Sequence, residues 1–382
     1  MSSILRRRRF LAGMAAVWSA AIGSAPRSVG AQTQPVKLGV IMSLSGPAAV
    51  LGLGQRDAIN AIHRAHGGVI HGHNIELVFY DDKSNPTEAA RGVTLLASEH
   101  KVAAIIGPTT GSSVLAAAPV AARREVPLLA AVGTAALTDR KNDFFPWLFR
   151  TTVNDTLAAP LLFETAAKAG AKRIGVIYTE DAYGKYGLEL AKELAPALGF
   201  TLAESVSAPY TATDLTPHAI KLRNANVDAV VVQIALAGLG AAFVNAAQEV
   251  GLKAKLYGVL GLSQQSFLDA AGAKAEGMHI VAMGDIDVAR GKELADLLIQ
   301  GGAKPQGMAE FLGSNSMMAA VAALKEVRAP VTGKSMREAL ERTCGFQAYG
   351  RGTACFGPDN HDGWGKDGIA VGVVKGGRLR LD

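Results

Sequence analysis

The chain has 382 residues, of which 49% are hydrophobic and 19% charged, with 2 Cys and a formal net charge of +6. This apolar content is ample for a packed core and excludes a largely disordered chain, while two cysteines exclude a disulfide scaffold or a four-cysteine zinc site. A net charge of +6 favours nucleic-acid binding only if the basic residues cluster on the folded protein.

The first residues hold much of the positive charge, with Arg at positions 6–9 followed by an uncharged apolar stretch over 10–25. This stretch is too short for a membrane span and is typical of the apolar region of an export signal. Small residues at 29–31 predict cleavage near Ala31. The run Arg7-Arg8-Arg9-Phe10-Leu11 resembles the twin-arginine export motif. An ordinary Sec signal is the alternative, and both place the mature protein in the periplasm.

The positive charge belongs mostly to this segment. Residues 1–31 contain five Arg and no acidic residue, so the remainder has 34 basic and 33 acidic residues. A nearly neutral mature chain does not favour a polyanionic partner. We therefore expect no nucleic-acid partner.

Hydrophobic periodicity predicts alternating strands and helices in the first part of the mature chain. The predicted strands are 36–42, 75–80, 102–106 and 127–132, and the predicted helices are 55–66, 86–100 and 114–122. This βαβα order predicts a parallel sheet with right-handed crossovers.

The same order then repeats. Residues 173–178 carry the Gly-Val-Ile core already present in 37–42. Further strands are predicted at 201–206 and 228–234, with helices at 184–198, 216–225 and 239–250. Two similar units without a Pro- or Ser-rich linker predict an α/β protein of two doubly wound αβα lobes. One extended doubly wound sheet is the alternative.

Motifs for nucleotide or acyl-transfer chemistry are missing, since no complete phosphate-binding glycine loop and no Gly-x-Ser-x-Gly elbow occurs. We expect no cofactor. His63, His66, His71 and His73 lie within 11 residues and form a weak candidate metal site. A solvated helix end and loop with adventitious metal affinity is the alternative.

The two cysteines, Cys344 and Cys355, are separated by 11 positions. Outside the cytoplasm they are a disulfide candidate. Two isolated buried thiols are the alternative.

Short motifs occur in a fixed order along nearly the whole mature chain: Ser45-Gly46-Pro47, Tyr80-Asp81-Asp82, Asn85-Pro86, Ile105-Ile106-Gly107-Pro108 and Asp181-Ala182-Tyr183-Gly184. Together they resemble the branched-chain amino-acid (Leu/Ile/Val) binding proteins, which are the periplasmic solute-binding components of ABC transporters. The resemblance implies a type I periplasmic binding fold, with two lobes joined by three crossings. It also implies that lobe 1 comprises 32–152 plus 284–347, and lobe 2 comprises 153–283 plus 352–382.

The resemblance also implies a ligand-binding cleft. Thr109, Thr110, Gly111 and Ser112 match the loop that holds the ligand carboxylate through hydroxyls and backbone N–H groups, although capping of a helix would equally explain Thr110 or Ser112. Gly133 and Thr134 match the segment that contacts the amine, and Tyr183 matches an aromatic residue of the second lobe. Asp155 follows the first crossing, where it faces the cleft or caps a helix.

Two features of the family are missing from this sequence. Leu51 stands where the family has an aromatic wall residue. The stretch 257–263, which contains Leu260 and Gly261, lacks the acid that pairs with the ligand ammonium. Because an unpaired buried ammonium is costly, this favours a carboxylated ligand without an amine, unless Asp155 or Asp181 substitutes.

The sequence thus predicts a periplasmic solute-binding receptor without enzymatic activity. It would be a monomer that captures a small carboxylated ligand, either an amino acid or an aromatic or aliphatic acid, and delivers it to a membrane permease. The alternatives are an exported sensor of the same fold and a metal-dependent enzyme that uses the histidine cluster.

Overall fold

The computed structural model describes residues 34–284, 289–305 and 307–381. The predicted export segment 1–31 lies outside these ranges. The described residues form two separate sheets flanked by helices. This confirms the prediction of two doubly wound α/β lobes and shows that the alternative of one extended sheet is wrong. No helix in the described ranges is long and apolar enough to cross a membrane.

The first sheet has six strands in the order β2-β3-β1-β4-β5-β6. Its strands are Val36–Met42 (β1), Val69–Ile70 (β2), His73–Asp81 (β3), Ala104–Ile106 (β4), Leu128–Ala130 (β5) and Leu148–Arg150 (β6). The buried central strand β1 is parallel to both β3 and β4. The helices of this part are Ala49–Ala65 (α1), Pro86–Leu95 (α2) and Gly111–Arg123 (α3), and α2 continues as a π-helical turn over Leu96–His100.

The second sheet has seven strands in the order β13-β12-β11-β10-β9-β7-β8. Its strands are Arg173–Thr179 (β7), Thr201–Ala208 (β8), Ala229–Gln233 (β9), Lys255–Gly258 (β10), His279–Ala282 (β11), Ala370–Lys375 (β12) and Arg378–Leu381 (β13). Its helices are Asp155–Lys168 (α4), Ala182–Leu198 (α5), Thr216–Asn224 (α6), Ala237–Glu249 (α7) and Gln265–Ala271 (α8). Every strand and helix predicted from periodicity has a counterpart within a few residues, except for the start of α1.

Both sheets are mixed, which corrects the prediction of parallel sheets. β2 and β3 pair antiparallel, as do β11 with β12 and β12 with β13. β12 and β13 are joined by Gly376 and Gly377, both with positive φ, and so short a turn permits only an antiparallel hairpin. The sheets are parallel where helical crossovers connect the strands.

Three helices follow the second sheet's parallel strands: Ala289–Gln300 (α9), Met308–Leu324 (α10) and Gly333–Leu340 (α11). α9 and α10 pack against α1, and α10 also contacts β4 and β5 of the first sheet. Nearly every residue of α10 is buried, as expected for a helix that is apolar on all sides. The chain then returns to the second sheet through β12.

Helix α1 begins six residues before its predicted start at 55. Glycine has low helix propensity, so Gly52 and Gly54 disfavour a helix there. In the structure both glycines are close-packing positions. A methyl group on Gly54 would lie 2.7 Å from Cβ of Ala309 in α10, and one on Gly52 would overlap the carbonyl of Ser43. Tertiary packing therefore extends α1 toward its N-terminus, and Leu51 lies in its first turn.

Cys344 and Cys355 form a disulfide, and their backbones pair in an isolated antiparallel bridge. The bond closes a short loop ahead of the return to the second sheet. We expect the double variant C344S/C355S to lose about 2–3 kcal/mol in the free energy of unfolding, because the unfolded chain regains loop entropy. Urea denaturation measures this loss, and the reduced wild-type protein is the control. Equal midpoints for the oxidised protein and the variant would contradict the prediction.

Candidate functional site

A cleft lies between the two sheets, at the carboxyl ends of their parallel strands. It contains about 650 Å³ not occupied by protein atoms, part of it open to solvent. Open α/β sheets usually bind ligands at this edge, because loops from several strands converge there. The lining residues come from the loops after β4 to β10 and from helices α1 and α10.

Ten of the eleven predicted ligand-binding residues line this cleft: Leu51, Thr109, Thr110, Gly111, Gly133, Thr134, Asp155, Tyr183, Leu260 and Gly261. The eleventh, Ser112, is half-buried in the first turn of α3 and is not among the lining residues. The predictions thus converge on one place, although no ligand is present to assign their roles.

Sequence reasoning missed several lining residues: Ala131, Val132, Thr152, Tyr210, Ala235, Leu236, Met308 and Leu312. Ala131 and Val132 directly precede the predicted pair at 133–134 and could have been found by extending that loop. Met308 and Leu312 reach the cleft from α10, almost 200 positions after Thr109. Nothing local in the sequence marks those two side chains as cleft residues.

Helix α3 begins at the cleft. The Thr110 hydroxyl accepts a hydrogen bond from the backbone N–H of Ser113 (3.4 Å) and donates one to the Ser113 hydroxyl (3.0 Å). The Thr109 hydroxyl accepts one from the backbone N–H of Ser43 (3.0 Å). Capping thus explains Thr110, and both hydroxyls are engaged within the protein. The backbone N–H groups of Gly111 and Ser112 precede the first intrahelical bond and are the donors left for an anion.

The hydroxyl of Thr134 lies beside this helix start. A methyl group on Gly111 would overlap Oγ1 of Thr134 and lie 3.0 Å from its Cβ. The Thr134 side chain is 3% exposed, and its Oγ1 has no hydrogen-bond partner among the described residues. Because a buried hydroxyl without a partner is costly, this atom is suited to bind a ligand.

The carboxyl group of Asp155 lies beside Gly133, the residue that precedes Thr134. A methyl group on Gly133 would overlap Oδ1 of Asp155 and lie 2.7 Å from its Cγ. Asp155 is 3% exposed, and its Oδ2 has no hydrogen-bond partner in the described part of the chain. Burial raises the pKa of Asp155 to about 7, although the guanidinium of Arg150 lowers it.

The second acidic residue of the cleft, Asp181, is fully engaged. It accepts hydrogen bonds from the Tyr210 hydroxyl (2.7 Å), the Thr179 hydroxyl (2.7 Å) and the backbone N–H of Gly184 (3.1 Å), and so caps α5. Burial and the nearby Asp155 raise the pKa of Tyr183, which therefore stays neutral. Of the two acids, only Asp155 has a buried carboxylate oxygen without a hydrogen-bond partner among the described residues.

The rest of the cleft wall is mostly apolar. Leu51 comes from the first turn of α1, and Leu260 lies in the loop after β10. Leu236, Met308 and Leu312 also contribute to this apolar wall. A small polar corner beside a wide apolar wall suits a ligand with a charged head and a hydrocarbon body.

Three of the four clustered histidines contact backbone carbonyls. His63 Nε2 lies 3.0 Å from the Ile75 carbonyl, His66 Nδ1 lies 2.9 Å from its own helix's carbonyl at position 62, and His73 Nε2 lies 3.0 Å from that of Val327. The described ranges contain no group of three or more His, Cys, Asp or Glu able to hold a metal ion. Backbone hydrogen bonding thus accounts for three of the four clustered histidines, while His71 is exposed.

Comparisons with known proteins agree with this architecture. Residues 35–378 match the family model described as periplasmic binding protein. A Leu/Ile/Val-binding protein homolog 6 from Brucella melitensis is 22% identical over 247 residues. That alignment covers 64% of this chain and 63% of the relative, so it spans less than two thirds of the relative's length.

Solved structures share the fold. An extracellular ligand-binding receptor from Rhodopseudomonas palustris HaA2 superposes with a TM-score of 0.82 at 24% identity, covering 91% of this chain and 99% of that one. A solute-binding protein of an ABC transporter from Rhodopseudomonas palustris BisB5, in complex with 3,4-dihydroxybenzoic acid, superposes with a TM-score of 0.81 at 24% identity, covering 90% and 95%. At this level of identity the likeness establishes the fold alone.

Proposed function

The chain belongs to the periplasmic binding protein family, and from this premise we propose that it is the extracytoplasmic solute-binding receptor of an ABC importer. It captures a small carboxylated ligand in the cleft and delivers it to a membrane permease, without covalent chemistry. We assign lobe 1 to 32–152 plus 284–347 and lobe 2 to 153–283 plus 352–382. Closure of the lobes is favoured only when the ligand contacts both.

The ligand carboxylate is assigned to the start of α3. The N–H group of Gly111, which lines the cleft, precedes the first intrahelical bond, and the helix dipole there also favours negative charge. The hydroxyl of Thr134, which has no partner among the described residues, adds a second donor beside it. This arrangement holds an anion without an arginine in the cleft.

The observation that carries the ligand assignment is the position of Asp155 next to this anion site. Gly111 contacts the Thr134 side chain and Gly133 contacts Asp155, so the anion site and the carboxyl group flank two consecutive residues. An α-amino acid carries its carboxylate and ammonium on one carbon, so its site needs an acidic acceptor close to the anion site. Asp155 would thereby replace the acid missing from 257–263. We therefore favour an apolar α-amino acid over the amine-free acid that the sequence alone favoured.

An aromatic or aliphatic acid remains the second candidate, because Asp155 has a pKa of about 7. In its protonated form it can donate a hydrogen bond to a ligand oxygen. The ABC solute-binding protein of the same fold in complex with 3,4-dihydroxybenzoic acid gives this candidate a structural parallel. Both candidates share the anion site and differ only at Asp155.

A thermal-shift series with matched ligand pairs tests the proposal. Leucine is compared with 4-methylpentanoate, which lacks the amine, and with leucinamide, which lacks the carboxylate; benzoate and 4-hydroxybenzoate complete the series. We expect leucine to stabilise the protein, by about 2.7 kcal/mol at 100 times its Kd, and leucinamide to have no effect. Stabilisation by 4-methylpentanoate or benzoate but not by leucine would select the second candidate. No stabilisation by any carboxylate would refute the ligand class.

Two further parts of the proposal concern the protein outside the cleft. We propose that residues 1–31 direct export, of the twin-arginine type, with cleavage near Ala31, and that the mature receptor is a periplasmic monomer. The arginine run and the apolar stretch after it support export. Size-exclusion chromatography with light scattering of the secreted protein, together with N-terminal sequencing, tests both parts.

A further inference from the structure

Arg150 is a buried arginine that does not line the cleft. It ends β6 and its side chain is 1% exposed. Its Nη1 donates to the carbonyl of Val132, and its Nη2 donates to the carbonyl of Thr134 (2.9 Å) and to the hydroxyl of Thr138 (2.9 Å). The planar guanidinium thus binds the backbone on both sides of Gly133, from behind the cleft.

The counter-ion of Arg150 comes from a distant part of the chain. Asp362 Oδ1 accepts from Nε of Arg150 (2.7 Å) and from the Thr138 hydroxyl (2.6 Å). Asp362 Oδ2 accepts from Nδ2 of Asn154 (2.8 Å). Asn154 in turn caps α4 by accepting from the backbone N–H of Thr156 (3.0 Å). Burial raises the pKa of Asp362, but Arg150 and the hydrogen bonds to its carboxylate lower it overall, so Asp362 stays ionised.

This network holds both polar parts of the proposed ligand site, which are residues 133–134 and Asp155. The Arg150 guanidinium holds the segment that carries Gly133 and Thr134. Through Asp362 and Asn154 it also holds the start of α4, whose first residue is Asp155. The backbone N–H of Asp155 donates to the Gly133 carbonyl (2.8 Å), which joins the two halves directly.

We propose that Arg150, paired with Asp362, is a positioning residue for ligand binding: it sets the geometry of Thr134 and Asp155 without touching the ligand. This inference rests on the proposed function. A buried ion pair is weak evidence for stability, since apolar replacement of both partners is often neutral. The planar guanidinium of Arg150, which donates to the carbonyls of Val132 and Thr134, fixes the position of that backbone segment. Such positioning matters because a binding site tolerates errors of only about 0.5 Å.

Three variants separate positioning from stability. R150M/D362L replaces the pair by apolar side chains and leaves no unpaired charge. R150K keeps the charge that acts on Asp155 but loses the planar fork. R64M is the control for losing an arginine–carbonyl bond at an exposed position, because Arg64 also donates to a backbone carbonyl, that of Gly301 (2.7 Å), at the far end of α1.

Three measurements are made on each variant and on the wild type. Calorimetric titration with leucine and with benzoate gives the affinity, and thermal unfolding gives the stability. Amide hydrogen exchange of the ligand-free protein over 131–139 and 152–158 reports the order of the two segments without any ligand. We expect R150M/D362L and R150K to bind leucine or benzoate about 10–100-fold more weakly and to exchange faster in both segments. R64M should match the wild type in affinity and in exchange.

The outcomes are distinguishable. Wild-type affinity and exchange in R150K and R150M/D362L would overturn the inference. A uniform loss of protection across the whole chain would show a merely structural role and would also overturn it. If the wild type binds neither leucine nor benzoate, those ligand assignments fail, while the exchange in 131–139 and 152–158 still decides the positioning role.

Discussion

Replacing Asp155 with asparagine is expected to weaken leucine binding at least about 30-fold, because removing one partner of a buried charge pair costs about 2–5 kcal/mol. The same variant should bind benzoate at least as tightly as the wild type at pH 8, because it removes an ionised carboxylate from beside the ligand anion. Calorimetric titration with both compounds measures the two affinities. Equal losses for leucine and benzoate would contradict the assigned ammonium contact.

The ligand-free D155N protein is expected to be more stable than the wild type above pH 7, by about 1–3 kcal/mol, because an unpartnered buried carboxylate is removed. The pKa of Asp155 is raised from its ordinary value of 3.8 to about 7. Between these values the folded protein holds a proton that the unfolded chain has released. Wild-type stability should therefore fall as the pH rises from about 4 to 7 and then level off, and this fall should be absent in D155N.

Leucine affinity should have the opposite dependence on pH. Binding an ammonium requires ionised Asp155, so the affinity of the wild type should rise through about pH 7, with a proton released on binding.

D181N is the matched control for the stability of D155N. Asp181 lines the same cleft but has partners for both oxygens, so its replacement should lower stability under the conditions in which D155N raises it. A stabilised D181N would show that the effect does not depend on the missing partner.

Replacing Gly111 with alanine is expected to weaken the binding of any carboxylate ligand about 10–100-fold, by displacing Thr134 and obstructing the start of α3. The added methyl group would overlap Oγ1 of Thr134 and lie 3.0 Å from its Cβ, so that side chain must move. Titration with leucine and with benzoate tests both ligand classes at once. A loss for one class alone would contradict a shared anion site.

Gly238 provides the control for this substitution. It also lies in the first turn of a helix, α7, but a methyl group there would meet no atom within 4 Å. G238A should bind as the wild type does and be equally or slightly more stable, because alanine favours the helix. If G111A and G238A bind alike, the contact with Thr134 does not shape the site.

Much of the fold could be predicted from the sequence because its signal is local. The alternation of apolar runs with helical stripes placed nearly all strands and helices of both sheets, and the repeated Gly-Val-Ile strand indicated two units. The same reasoning failed where packing overrides local preference. Gly52 and Gly54 lie inside α1 since close contact with Ser43 and Ala309 requires them, and the hairpin strands β12 and β13 made the second sheet mixed.

The composition and order of the sequence by themselves indicated a chain that is nearly neutral outside residues 1–31 and two α/β units, and the family resemblance added the loops that carry the cleft residues. Only the tertiary structure decided which of those residues remain free to bind. Asp155 and Asp181 look equivalent in sequence, yet Tyr210 engages Asp181 while Asp155 has an oxygen without a partner among the described residues. Arg150 and Asp362 are 212 positions apart and meet behind the cleft. Residue type and spacing fix local conformation, whereas desolvation and hydrogen-bond partners depend on contacts between distant segments.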